Sequence, residues 1–323
     1  MTKKFKVYSK IVDGIESSFT FVPGSSLPAG IAISTPMNFV YVGGEILLTL
    51  DKSNFWNAVC GKIENDETWQ EALRRETLEE VGAEVGELYV VGYLDCRNGP
   101  GSKFKPHTIL PVCYSYSTSV ITNWVPRETK NREFFSYSDA VKVFSQRDDA
   151  SQIMEILEHI TSIIKISEIS LVYEYVPDKL LENVPVTSAM TFCYDDQLKF
   201  CVVRDIGEDF LSLPGGHCSI NEKPDECALR ELNEEAQIIP KNNKLLGTIL
   251  VSVFKDGKLV SKVQQARYYC YVDKLQEFKI DNNKYETDMR VFMDLDEMAD
   301  SVRQLRNKEG KIIISHLKKK LKI

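Results

Sequence analysis

Glu76, Glu79 and Glu80 stand at positions i, i+3 and i+4, and Glu231, Glu234 and Glu235 repeat that spacing. In an α-helix such residues share one face. Each trio makes an acidic stripe whose members repel by about 0.2–0.5 kcal/mol per pair, even on a solvated helix. A hard divalent cation reverses that repulsion. Mg²⁺ takes oxygen ligands, usually a few carboxylates together with waters and substrate phosphates, and Mn²⁺ suits similar donors. A cation so held polarises a phosphoryl oxygen and orients in-line attack. A neighbouring carboxylate can take the proton of the attacking water. This is the chemistry that cuts a pyrophosphate bond. Glutamate is also a strong helix former, so one such string alone reads equally well as a solvated helix face.

Two copies change that balance. Residues 61–83 read GKIENDETWQEALRRETLEEVGA, and residues 216–238 read GHCSINEKPDECALRELNEEAQI. Glu67, Arg75, Glu76, Glu79 and Glu80 match Glu222, Arg230, Glu231, Glu234 and Glu235, each pair 155 residues apart. The offset holds upstream, where EILLTLDKSNFW (45–56) lies over FCVVRDIGEDFL (200–211). Each is an aliphatic and β-branched run followed by a polar turn, the pattern of a strand leading into a loop. Downstream, residues 87–96 and 244–254, then 112–117 and 268–272, read as further strands. FFSYSDAV (134–141) and VFMDLDEM (291–298) each read as a strand end, a polar cap and a helix start. Helical tracts follow near 150–164 and 310–321.

The elements that must position the acidic stripes are therefore duplicated: strands, an acidic helix, more strands, a terminal helix. The boundary falls between about residues 165 and 185, where Pro177 and Pro185 break the pattern. The expected organisation is an N-terminal extension (1–27), a first domain (28–168) and a second domain (169–323). The extension has no assignable counterpart before the second domain.

The duplicated segment resembles the Nudix box, Gly-x5-Glu-x7-Arg-Glu-U-x-Glu-Glu-x-Gly-U, where U is bulky and aliphatic. The first copy supplies Gly61, Glu67, Arg75, Glu76, Glu79, Glu80 and Gly82; the second supplies Gly216, Glu222, Arg230, Glu231, Leu232, Glu234, Glu235 and Ile238. Six fixed matches arise by chance roughly once in ten million windows at ordinary residue usage. The resemblance spans residue 28 to the end. It implies an α/β fold of two consecutive Nudix α/β/α sandwich domains with mixed sheets, the box forming a loop–helix–loop. It implies Mg²⁺ (with Mn²⁺ as a substitute) on Glu76 and Glu80, and on Glu231 and Glu235. The backbone carbonyls of Cys60 and Gly215 join those sets, and Glu79 and Glu234 complete the catalytic carboxylates. Arg75 with Glu67, and Arg230 with Glu222, match a pair that braces the helix.

The copies depart from the pattern in places. Thr77 stands where an aliphatic residue is expected, Ala83 is small at the last box position, and AVCG precedes the first box where many members have LPGG. The second copy keeps Leu213, Pro214, Gly215 and Gly216 but has Gln237 at the box glycine that commonly adopts a positive φ. A non-glycine residue there costs roughly 1 kcal/mol, which a folded domain tolerates. Both acidic sets are complete.

A net charge of −7 argues against a dedicated duplex-DNA binder, which usually shows a basic face. An RNA-end substrate stays open, although the Lys and Arg positions outline no basic cleft. The apolar stretch 30–50 is broken by Pro36, Asn38, Gly43, Gly44 and Glu45, so it makes no clean membrane span. The N-terminus lacks a signal-peptide core. Eight cysteines without a CxxC pair read as reduced thiols in a cytoplasmic protein. Trp56, Phe55, Tyr114 and Tyr116 are candidates to stack on a base, or are strand core. The expected function is hydrolysis of a nucleoside diphosphate-linked compound or a nucleoside triphosphate. The competing readings are one catalytic domain beside a nucleotide-sensing or structural one, and a binding module without catalysis. The oligomeric state is not written in these motifs.

Overall fold

The computed structural model describes residues 6–12, 14–103, 105–121, 124–166, 169–219, 221–280 and 287–323. The chain divides into two units: residues 1–170 with 253–261, and residues 171–252 with 262–323. The expected boundary at 168/169 touches residues 167–168, and the extension includes residues 1–5; these lie outside the described residues.

In the first unit the elements run β1 (Val7–Val12), β2 (Ile15–Pro23), β3 (Ala32–Ile33), β4 (Met37–Val42), β5 (Glu45–Leu50), β6 (Trp56–Asn57), β7 (Val59–Cys60), α1 (Trp69–Val81), β8 (Ala83–Asn98), β9 (His107–Val120), β10 (Asn131–Phe135), α2 (Tyr137–Phe144) and α3 (Ala150–Ile166). The sheet order is β1-β2-β8-β9-β4-β5-β10, and β4 pairs parallel with β9 in an otherwise mostly antiparallel ladder. Gly43 and Gly44, both at positive φ, close the β4–β5 hairpin as a two-residue loop favours. Every residue of β4 is buried, as suits a strand covered on both faces.

Alternation along β4 sets the layers. Phe39 and Tyr41 point to one face, into a core with Phe144 of α2 and Ile156 and Ile160 of α3. Asn38 points to the other face, where its Nδ2 donates to Thr77 Oγ1 on α1 (3.3 Å) and to Ser115 Oγ on β9 (2.9 Å). Thr77 in turn donates to Leu73 O at 2.6 Å. The polar residue at an expected aliphatic position is thus satisfied inside a buried network. Tyr114 and Tyr116 belong to the core rather than to a stacking platform, whereas Phe55 is exposed.

The second half of the chain repeats the plan with β11 (Ile169–Pro177), β12 (Val186–Tyr194), β13 (Phe200–Asp205), β14 (Gly215–His217), α4 (Pro224–Ala236), β15 (Ile238–Lys255), β16 (Lys258–Leu275), β17 (Thr287–Met293), α5 (Leu295–Ser301) and α6 (Lys308–Leu321); residues 253–261 at the β15–β16 turn are counted with the first unit. Its order is β11-β15-β16-β12-β13-β17, with β12 parallel to β16. Helix α4 packs Cys227 and Ala228 against Ala189, Ala266 and Tyr268. Helix α6 meets β11 where Tyr175 Oη lies 2.8 Å from His316 Nδ1.

The duplication reaches further upstream than the sequence suggests. β2 and β11 occupy the same place in the two sheet orders, and both end in Val-Pro, at 22–23 and 176–177. Each ends against a glycine of the next strand: a side chain on Gly92 would meet Val22 O, and one on Gly247 would meet Val176 O, both at 2.5 Å. So part of residues 1–27 does have a counterpart, and only β1 is extra. The strands read at 87–96, 112–117, 244–254 and 268–272 are also longer than expected, at 83–98, 107–120, 238–255 and 258–275. All eight cysteines are free, and all but Cys60 are buried. Among the described residues no helix is long and apolar enough to cross a membrane.

Candidate active sites

Helix α1 starts on a capping box, Thr68 with Glu71, and ends at Gly82 in the left-handed region (φ 59°). Between these stops the acidic stripe is held by Arg75. Its guanidinium donates from Nε and Nη2 to Glu67 (3.3 and 2.8 Å), and from Nη1 to Glu76 (2.9 Å) and Glu79 (3.2 Å). Nη2 also reaches Lys62 O at 2.9 Å, tying the helix to the loop before it. Glu80 turns inward, where its carboxylate accepts from the Cys60 backbone amide at 3.3 Å. Gly61 lies so close to Glu76 that a side chain there would overlap it.

The second unit builds the same arrangement. Arg230 donates to Glu222 from Nε and Nη2 (2.7 and 2.9 Å), and from Nη1 to Glu231 (2.7 Å) and Glu234 (3.0 Å). Nη2 reaches His217 O at 2.9 Å, and Glu235 accepts from the Gly215 amide at 2.9 Å. A side chain on Gly216 would come within 2.6 Å of Glu231 Oε1. Pro224 opens α4, and Gln237 closes it in the left-handed region (φ 51°) where the box glycine would stand. The Gln237 amide grips Lys279 through two hydrogen bonds of 2.7 and 2.8 Å.

Electrostatics separates the carboxylates into two groups. The hydrogen bonds from Arg75 hold Glu67 below its ordinary pKa. At Glu222 burial opposes ionisation, but the bonds from Arg230 outweigh it and the pKa is again lowered. Burial raises Glu76 and Glu231 against the pull of their arginines. Glu80 is pushed up to about 8, by burial first and by the nearby charges of Glu76, Glu128 and Glu79. Arg75 hydrogen-bonds Glu67, Glu76 and Glu79, whereas Glu80 takes its bond from the Cys60 amide.

The first stripe opens on a recess of about 370 Å³ lined by Glu64, Glu76, Glu79, Glu80 and Glu128, together with Arg75, Lys62, Thr35, Cys60 and Gly61. Crowded carboxylate oxygens with one inner member forced towards its neutral form fit a hard divalent cation, which would favour the ionised state. Among the described residues no three His, Cys, Asp or Glu side chains stand grouped as a ready-made metal cage. The arginine Nη1 lies between the first two glutamates of each stripe and takes one oxygen of each, which leaves the second oxygen for a cation. The predicted carboxylates and the loop residues Cys60 and Gly215 are brought together in each unit.

Several neighbours were not singled out from the sequence. Thr129 Oγ1 donates to Glu80 O (3.3 Å), and Thr287 Oγ1 donates to Glu235 O (2.7 Å). Arg132 donates to Val81 O and Ile121 O; Arg290 donates to Ala236 O (2.6 Å) and Gln276 O (3.1 Å). Trp124 Nε1 donates to Glu79 O at 2.9 Å. Apart from the bonds to Ile121 O and Gln276 O, these groups take up carbonyls that a helix C-terminus leaves unpaired. The signal exists in the sequence as ETKNR (128–132) and ETDMR (286–290). Its offset is 158 rather than 155, and that three-residue slip hides it. Glu286, the match for Glu128, lies outside the described residues.

A second, larger cavity of about 590 Å³ adjoins the recess in the first unit, with Cys60 lining both. Residues of β1, the Arg147–Asp149 turn and the start of α3 form much of its wall.

The sequence profile described as NUDIX domain matches the chain twice, at residues 37–156 and 184–315. No curated protein matches. Solved structures that resemble parts of this chain do so at low identity. The pyrophosphohydrolase of Bacillus subtilis is 19% identical over 46% of this chain and 90% of its own, with a TM-score of 0.38. An Ap4A hydrolase of C. elegans is 16% identical over 41% and 88%, with a TM-score of 0.32. An ADP-ribose pyrophosphatase of Streptococcus suis is 18% identical over 42% and 92%, with a TM-score of 0.30.

Proposed function

The chain belongs to the Nudix family, as a tandem hydrolase with one Nudix domain in each half, and from that premise we propose that both acidic sites hydrolyse a pyrophosphate bond in a nucleotide-type substrate. Nudix hydrolases generally work with divalent metals, and the cation proposed here is Mg²⁺, with Mn²⁺ as its substitute. The observation that carries the reading is the duplicate arrangement itself. In both units one arginine fixes two carboxylates of the stripe, and a loop amide fixes the third. Helix packing alone gives no reason to reproduce that geometry twice.

Glu76 and Glu80 would hold the cation in the first domain, with the Cys60 carbonyl; Glu231, Glu235 and the Gly215 carbonyl would do so in the second. The bound cation supplies polarisation of a phosphoryl oxygen and neutralises charge on the leaving phosphate. Glu79 and Glu234 are the most open members of their stripes, with side chains 40% and 47% exposed. Each is placed to take the proton of the attacking water, while Arg75 or Arg230 holds its carboxylate in line. Glu128 adds a carboxylate at the rim of the first recess, outside the box. Its charge suits a second cation or the approach of a water, and it works against a bare phosphate. The buried, unpaired thiols favour a reducing, cytoplasmic setting.

The test is turnover with Mg²⁺ on NTPs, ADP-ribose, NADH, dinucleoside polyphosphates, nucleotide sugars and capped RNA. Wild type, Glu80→Gln, Glu235→Gln and the double variant are compared. Loss of half the rate, or of different substrates, in the two single variants is expected. Complete loss from one single variant alone would leave the other domain as a sensor or a structural partner. Full turnover in the double variant would overturn the assignment.

A further inference from the structure

One end of the second sheet is an open edge at a place that the first sheet covers. Phe21 and Tyr175 hold the same position in β2 and β11. Each stands one residue before the Val-Pro end, and each packs its ring on a histidine of the unit's terminal helix, His159 or His316, with ring centroids 5.6 and 5.9 Å apart. That alignment sets residues 15–20 of β2 against residues 169–174 of β11. Residues 15–20 are the stretch that β1 covers, in an antiparallel register from Val7 opposite Thr20 to Val12 opposite Ile15. β11 has β15 on one side and, among the described residues, no strand on the other.

The residue types change with the cover. β2 carries Ser17, Ser18 and Phe19 alongside β1, whereas β11 carries Leu171, Val172 and Tyr173 at the matching positions. These three are 45%, 50% and 44% exposed, and Ser170 and Glu174 on either side of them are exposed as well. Successive side chains of a strand point to opposite faces, so both faces of this edge present apolar groups to water. An exposed apolar edge is a template for another strand, and natural sheets blunt such edges with lysine or proline. The first sheet does so. β1, its outermost strand on that side, contains the exposed Lys10 and follows the exposed Lys6. β11 has no lysine, and its one proline, Pro177, stands at its last position.

The strand is complementary to a second copy of itself. Glu174 is its only charged residue. In an antiparallel pair centred on Val172, Glu174 of each copy stands opposite Ser170 of the other, so no like charges face. Leu171 stands opposite Tyr173 twice, and apolar cross-strand pairs with an aromatic member stabilise a sheet. A two-fold pair uses the same patch on both chains and closes on itself, which leaves no open edge at this place.

We propose that β11 is a dimerisation strand, and that two copies of this chain pair antiparallel along residues 170–174, with the two-fold axis at Val172, joining their second sheets into one.

Sedimentation velocity on the full chain reads the association, from about 1 to 100 µM, a range suited to the small area of one strand pair. The wild type should pass from monomer to dimer and no further. Val172→Lys and Val172→Glu each place two like charges across the axis and should weaken association roughly 10-fold or more. Val172 is half exposed, so at the lowest concentration both variants should keep the circular dichroism spectrum and the melting of the wild type. An equimolar mixture of the two variants should recover a dimer, because lysine then faces glutamate across the axis. That recovery separates a direct contact between copies from damage to the fold. A wild type that stays monomeric over the whole range would overturn the proposal. A Val172→Lys dimer as tight as the wild type, or a mixture no more associated than either variant alone, would place any self-association elsewhere on the chain and refute it as well.

Discussion

Removing the charge of Glu80 should stabilise the metal-free protein while it disables the first site. The Glu80 carboxyl ionises near 4.5 ordinarily and is pushed up to about 8 in the fold, chiefly by burial. The folded state therefore binds more protons than the unfolded chain between those two values, and stability falls as pH rises through that window. At pH 8 the full shift corresponds to about 4 kcal/mol of native-state cost. Glu80 is partly open to water, and screening trims this to roughly 2 kcal/mol. Glu80→Gln keeps an oxygen that can accept from the Cys60 amide but never ionises. In EDTA at pH 8 it should raise the melting temperature of the first unit by roughly 4–8 °C. At pH 5 the gain should shrink below about 0.5 kcal/mol, because the folded carboxyl is then protonated and that pH lies only just above the ordinary value at which the unfolded one ionises. Adding Mg²⁺ should stabilise the first unit of the wild type and not that of the variant, since ligand binding to the native state is what shifts the transition. Calorimetric scans from pH 5 to 8, with and without Mg²⁺, measure all three effects. A variant no more stable than wild type at pH 8 in EDTA would refute the burial argument. A variant that still responds fully to Mg²⁺ would remove Glu80 from the cation site.

The remaining expectations follow from the same contacts. Gly61→Ala places a methyl on the Glu76 side chain, whereas Gly216→Ala meets only the movable carboxyl end of Glu231, from 2.6 Å. Turnover in the first domain should fall roughly 100-fold and in the second by 10-fold or less; equal losses would show that the glycines do not act through those carboxylates. Gln237→Gly relieves about 1 kcal/mol of left-handed strain but removes both hydrogen bonds to Lys279, at about 1 kcal/mol each. Urea titration should therefore give a net loss near 1 kcal/mol, and a stabilised variant would show that this latch contributes nothing. Arg132→Lys cannot reach both Val81 O and Ile121 O as the guanidinium does. It should cost the first unit about 2 kcal/mol, read by the same titration, and a loss within error would mean that water serves the α1 C-terminus equally well.

Local rules made much of the molecule legible in its residues alone. The i, i+3, i+4 spacing fixes a shared helix face whatever surrounds it, and the repeat of Glu67 to Glu80 at Glu222 to Glu235 marks two equivalent helices. The left-handed end at Gln237 was also readable, because one position after a helix carries that constraint. Which residues meet across the chain was not readable. The Val-Pro ends of β2 and β11 correspond only through their place in the sheets, since exposed positions along those strands differ freely in type. The clamp of Thr129 and Arg132, repeated at Thr287 and Arg290, slips by three residues from the main repeat because the connection before it differs in length. The raised pKa of Glu80 depends on burial and on neighbours far along the chain. Sequence determined which groups exist and which share a helix face; only tertiary packing decided which of them lose their water, because desolvation is set by everything that surrounds an atom and not by its place in the chain.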